Sequence, residues 1–180
     1  MIALTADDQA TLLRWARAAI VAGKPVAGQG ELTPGLRAPA AAFVTLMQAG
    51  ELRGCIGHLR HDRPVWENVV RAAVAAARED PRFPPVTPDE VPELTVSISV
   101  LEPPVDLPDV SEFNAQRHGI IVQLGIHHAL LLPKVAQELG WDEEQVLAAV
   151  CHKAGLAADA WRDPAARLQV FEAIDFGESR

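Results

Sequence analysis

Ala42-Phe43-Val44-Thr45-Leu46-Met47-Gln48-Ala49-Gly50-Glu51-Leu52-Arg53-Gly54-Cys55-Ile56-Gly57 reads as two strands joined by a turn. Residues 42–47 are apolar and β-branched, Gln48-Ala49-Gly50-Glu51 makes the turn, and residues 52–57 begin the return, so a β-hairpin is expected. A hairpin implies antiparallel pairing, and the remaining chain agrees. Residues 94–100 alternate cleanly and predict a half-buried strand. Residues 119–132 predict a second hairpin around Gly125, and residues 168–174 a last strand. Helices lie between them. Thr5 to about Ile20 carries a capping-box start and the apolar stripe Leu12, Leu13, Ala16 and Ile20. Pro64 opens a helix whose buried face holds Val65, Trp66, Val69, Val70, Ala73, Val74 and Ala77, ending at Asp80-Pro81. Pro133 starts a short helix stopped by Gly140, and Asp142 caps another over 143–154. The order is helix, hairpin, helix, strand, hairpin, two helices, strand, which is α+β rather than a βαβ sheet. Residues 23–39, 81–92 and 103–108 read as loops, the first spanning Gly23, Gly28, Gly30 and Gly35.

Composition limits the function classes. The 180 residues are 49% hydrophobic and 22% charged, enough for one domain or two small lobes with a core that needs no disulfide or metal. We expect one domain over 1–180, with the N-terminal helix and loop 1–40 as a smaller lobe. A net charge of -8 argues against whole-chain nucleic-acid binding. The charge is uneven: residues 50–85 hold six arginines against five acids, +1, leaving -9 elsewhere. An anion site is therefore to be sought in that segment. The N-terminus lacks a basic region followed by an apolar run, and no apolar stretch is long enough to span a bilayer. The expectation is a cytoplasmic chain, with no membrane partner, whose two cysteines are free thiols.

Arg53-Gly54-Cys55-Ile56-Gly57 is the most unusual stretch. Two glycines flank a cysteine at a hairpin strand, where backbone N–H groups can approach a ligand or adopt positive φ. Arg53 can bind an anion or lower the thiol pKa of Cys55. The alternative is a bulge or tight turn around a small buried cysteine. Cys55, His58 and His61 have a spacing that zinc accepts, but no second ligand pair accompanies them, so no metal or other cofactor is assigned. Cys151 follows Leu147 and Val150 at core spacing and reads as a buried structural thiol. His127 and His128 sit at a turn and read as solvated. Asp80-Pro81-Arg82-Phe83 pairs an acid with an arginine across a turn, or lines a pocket beside Arg53. No phosphate loop, dinucleotide fingerprint, zinc-protease helix or nucleophile elbow occurs.

These motifs, with Phe43-Val44-Thr45-Leu46, Leu131-Leu132-Pro133-Lys134-Val135-Ala136, Gly140-Trp141-Asp142 and Cys151-His152-Lys153-Ala154-Gly155-Leu156, resemble the AMMECR domain family in order and spacing. The resemblance runs from the first helix to Phe176. It implies two related hairpin-plus-helix halves sharing one antiparallel, barrel-like sheet, with a cleft near the hexapeptide 52–57. It also implies a place beside a Memo-type protein and a radical SAM protein, as protein A of that gene set, and settles no reaction. By position, Arg53, Gly54, Cys55, Ile56 and Gly57 match the signature, Asp80, Arg82 and Phe83 a second motif, and Cys151 and Lys153 a third. His58 departs from the small residue usual there.

Two functions follow. In the first, a small anionic ligand or a protein partner binds the cleft, with Gly54, Ile56, Gly57, Arg82, Phe83 and Lys153 as binding residues. In the second, an enzyme uses Cys55 as nucleophile or ligand, Arg53 as anion stabiliser and Asp80 or a nearby His as acid or base. The first is preferred because no base has triad spacing to Cys55.

Overall fold

The computed structural model describes residues 2–26 and 32–178. In chain order the elements are α1 (Ala6–Ala22), α2 (Pro34–Arg37), β1 (Ala41–Gln48), β2 (Glu51–His58), α3 (Val65–Arg78), β3 (Leu94–Leu101), β4 (Val105–Asp106), β5 (Gly119–Leu124), β6 (His127–Leu131), α4 (Pro133–Leu139), α5 (Glu143–Lys153), β7 (Arg167–Phe171) and β8 (Ala173–Gly177). Single turns of 3₁₀ helix interrupt three of the loops. The fold is α+β with antiparallel pairing, as expected. The strands form two four-stranded sheets, ordered β2-β1-β3-β8 and β4-β7-β5-β6, not one shared barrel-like sheet.

The split occurs at Glu172. The alternation of residues 168–174 continues through this residue, yet β7 belongs to the second sheet and β8 to the first. The chain correspondingly divides into two units, residues 1–102 with 174–180, and residues 103–173.

In the first unit α1 and α3 cover one face of the sheet. Leu12, Ala16 and Ile20 of α1, Val69 and Ala73 of α3, Val44 and Leu46 of β1, and Val96 and Ile98 of β3 share one core. Trp15 meets Trp66 edge to face at 6.0 Å between ring centroids. The expected lobe of residues 1–40 is therefore not separate, because α1 is part of this core. Its start is a true capping box: the Thr5 hydroxyl accepts the Asp8 N–H while the Asp8 carboxylate accepts the Thr5 N–H. Arg17 fastens α1 to the chain end through Glu178, with Nε to Oε1 at 2.7 Å. Of the expected loop 23–39, residues 34–37 are the helical turn α2, and Gly28 and Gly30 lie outside the described residues.

In the second unit Leu147, Val150 and Cys151 of α5 and Ala136 of α4 pack on Ile120 and Val122 of β5 and on Leu168 and Val170 of β7. Cys151 is 0% exposed, and burial pushes its thiol pKa up, which is the structural role its spacing suggested. Among the described residues no helix is long and apolar enough to cross a membrane.

Candidate functional site

The hexapeptide forms most of β2, an edge strand. Cys55 lies opposite Thr45, Gly57 opposite Phe43, and Ile56 opposite Val44. Alternation puts Gly54 and Ile56 on the α3 side and Cys55 and Gly57 on the other. Neither glycine has positive φ. Both answer to packing: a Cβ at Gly54 would run into the Ala76 carbonyl of α3, and one at Gly57 into the Phe43 ring. The side-chain space at these two glycines is thus occupied by the protein itself.

Arg53 is the extra residue of a β-bulge. Leu46 pairs with Gly54 and Met47 with Leu52, so Arg53 has no partner on β1. The bulge aims it at Glu90, with Nε to Oε1 at 2.9 Å and Nη2 to Oε2 at 3.2 Å, while Nη1 donates to the Pro84 carbonyl at 3.0 Å. The guanidinium holds the Glu90 carboxyl at a pKa of about 2, helped by the Thr87 N–H and hydroxyl. Arg53 therefore clamps the 84–90 loop to the strand.

Asp80 and Arg82 complete the sheet edge. The Cys55 N–H points outward and donates to Asp80 Oδ2 at 2.9 Å, and Arg82 Nη2 reaches the Cys55 carbonyl at 3.4 Å. A carboxylate and a guanidinium thus stand where a further strand would supply acceptor and donor. Because its N–H leaves the ladder, Cys55 forms a non-hydrogen-bonded pair with Thr45, the arrangement that brings side chains closest. The Thr45 hydroxyl lies 3.3 Å from Sγ. Asp80 is 4% exposed and also accepts from Arg82 N, Nε and Nη2. The Arg82 guanidinium, with these backbone donors, holds its carboxyl well below the usual carboxylate range despite burial. The charge beside Cys55 is thus Arg82, which also lies over the Phe83 ring at 5.5 Å from its centroid. Lys153 belongs to the second unit, where it donates to the Leu130 carbonyl at 3.0 Å.

Cys55 and His58 lie on opposite faces of β2, and His61 Nε2 lies 3.1 Å from the Leu101 carbonyl. Among the described residues no three His, Cys, Asp or Glu side chains gather as metal ligands do.

A cleft of about 300 Å³ opens one residue beyond the hexapeptide. His58, Arg60 and Arg63 line it from the end of β2 and the following loop, Asn68 and Arg71 from α3, and Glu79 from the cap that ends α3. Arg63 and Arg71 are held together by Glu67, whose Oε1 lies 2.7 Å from Arg63 Nη1 and 3.0 Å from Arg71 Nη2. Arg63, then Arg71, keep the Glu67 carboxyl below its usual pKa. Each guanidinium has five N–H donors, so one shared carboxylate oxygen leaves most of them available. Asn68 fixes the wall, donating to the Ala40 and Arg60 carbonyls at 2.7 and 3.1 Å. Three of the six arginines of the segment 50–85 thus face one concavity, whereas Arg53 and Arg82 of the motifs do not line it. The available signal was the four-residue spacing of Arg63, Glu67 and Arg71 across the start of α3, which also describes an ordinary surface ion-pair stripe.

The family model AMMECR1 matches residues 13–176. The chain belongs to the AMMECR1 family. A protein of Methanothermobacter thermautotrophicus is 39% identical over 187 residues, covering 97% of this chain and 96% of that protein. Protein MK0488 of Methanopyrus kandleri is 43% identical over 188 residues, covering 97% and 90%. The crystal structure of the uncharacterized protein PH0010 from Pyrococcus horikoshii matches with a TM-score of 0.89 at 38% identity, covering 95% of this chain and 91% of that one. Arg53, Asp80 and Arg82 all have protein partners, while the arginines of the adjoining cleft keep spare donors.

Proposed function

We propose that this AMMECR1 chain binds a small anionic ligand in the cleft at the end of β2. The supporting observation is three guanidinium groups around one concavity, two of them held side by side by Glu67. Paired guanidinium groups match the oxygens of a carboxylate or phosphate, and apolar Val74 and Pro25 in the lining leave room for a ligand body. A Memo-type or radical SAM partner is a natural source or recipient of such a ligand. Titration of the chain with inorganic phosphate tests the reading: shifts should centre on Asn68 and Arg71 amides in NMR spectra and vanish in an Arg63→Gln/Arg71→Gln double variant. Equal shifts in wild type and double variant would refute it.

A second reading is favoured by the half-buried thiol of Cys55, on a strand edge whose backbone N–H and C=O are held by Asp80 and Arg82. It makes Cys55 a nucleophile and the protein an enzyme. Faster iodoacetamide labelling of Cys55 at pH 7 than of a model thiol, slowed in Arg82→Gln, would support it. Labelling no faster than the model thiol would end it.

A further inference from the structure

The cleft is polarised along α3. Asn68, Arg71, Ala75 and Glu79 fall on one helix face at intervals of three and four residues, and all four line the cleft. Arg60 and Arg63 join Arg71 at the end nearer the helix start. Glu79 stands alone at the other end, as the C-terminal cap of the helix. Eight residue steps, the last onto the helix cap, separate Arg71 from Glu79, a rise of roughly 12 Å. Small Ala75 lies midway and leaves the floor open.

Glu79 lacks a structural reason to be an acid. A carboxylate at the C-terminal end of a helix opposes the helix dipole, which favours cations there. Its side chain makes no ion pair among the described residues. Its neighbour Arg78 lays its guanidinium beside Gly23 and does not line the cleft. By contrast the acids near the other end, Glu67 and Asp62, each lie beside an arginine. One uncompensated acid therefore faces a group of arginines across an open floor.

We infer that the cleft selects a dipolar ligand, with a phosphate or carboxylate on Arg60, Arg63 and Arg71 and an ammonium group on Glu79. This rests on the anion-binding reading above and adds the second pole. The ligand class is a small aminoalkyl phosphate or amino acid with its charges separated by a short apolar chain. A purely anionic ligand of the same length would meet repulsion at Glu79.

The test compares butyl phosphate with 4-aminobutyl phosphate by calorimetric titration. Wild type should bind the amine-bearing compound about threefold more tightly, the scale of one partly exposed ion pair. Glu79→Gln should bring the two affinities together, weakening one compound and tightening the other. Arg71→Gln should weaken both. If butyl phosphate binds and Arg71→Gln weakens it, but the amine brings no gain or the gain survives Glu79→Gln, the dipolar inference is overturned and the anion-binding reading stands. If neither compound binds, both fall.

Discussion

The sheet edge at Cys55 and the cleft beyond His58 are neighbours on the same strand and hold similar residues, but they use their charges differently. At the edge, Arg53 closes on Glu90 and Arg82 on Asp80, and the hexapeptide glycines yield their space to α3 and Phe43. In the cleft, Arg63 and Arg71 share the single Glu67 carboxylate and line an open volume with donors to spare. An unusual motif can thus be unusual because it is built tightly. The second unit repeats part of the building: Gly119 on β5 lies opposite Phe171, whose ring occupies the space of a missing Cβ just as Phe43 does over Gly57. Both sheets place an aromatic ring over a cross-strand glycine.

The largest effect should come from Gly54→Ala. Its Cβ meets backbone of α3 that cannot turn aside, so strand and helix must separate, at about 3 kcal/mol. Chemical denaturation reads this, and a loss below about 1 kcal/mol would show the edge to be looser than described.

Asp80→Ala comes next, at about 2 kcal/mol, because it leaves the Cys55 N–H unsatisfied and Arg82 alone; the figure is modest because Arg82 is 54% exposed. Acid should act through the same group. The folded pKa of Asp80 lies below its unfolded value near 3.9, so its contribution is complete above about pH 5 and fades as pH falls through and below 4. Glu90 behaves alike, from about 4.5 down to its folded value of about 2. Stability measured from pH 6 to 3 should therefore fall less steeply in Asp80→Ala than in wild type; parallel curves would contradict the pairing.

Arg71→Gln should lower phosphate affinity about tenfold, or roughly 1.4 kcal/mol of binding, with stability changed by less than about 0.5 kcal/mol. A stability loss as large as that of Asp80→Ala would make the cleft part of the frame. Cys55→Ser should change least, about 0.5 kcal/mol, because a hydroxyl replaces the thiol beside Thr45 and leaves the backbone hydrogen bond to Asp80 in place.

Much of this was legible in residue order. Hairpins, helices and caps follow from periodicity and local chemistry, as Thr5 and Asp142 show. The division into two sheets was not, because residues 168–174 alternate without a break and only pairing partners distinguish β7 from β8. Strand β4 is two residues inside a proline-rich loop, too short for any period to appear. The fate of Arg53 depends on a bulge, which is a property of two strands in register rather than of either alone. Gly54 and Gly57 signalled a close approach correctly, but only the three-dimensional structure shows that what approaches is a helix and a ring. Which of the arginines between 53 and 82 face a cavity depends on the turn between β2 and α3, and no local pattern shows that turn.

The most direct test sets one arginine of each region against the other. Arg53→Gln and Arg71→Gln, each titrated with phosphate at a temperature where both are folded, should diverge: Arg53→Gln loses stability and keeps wild-type affinity, and Arg71→Gln keeps stability and loses affinity about tenfold. Loss of affinity in Arg53→Gln, with Arg71→Gln unaffected, would put the anion site at the hexapeptide and contradict the account.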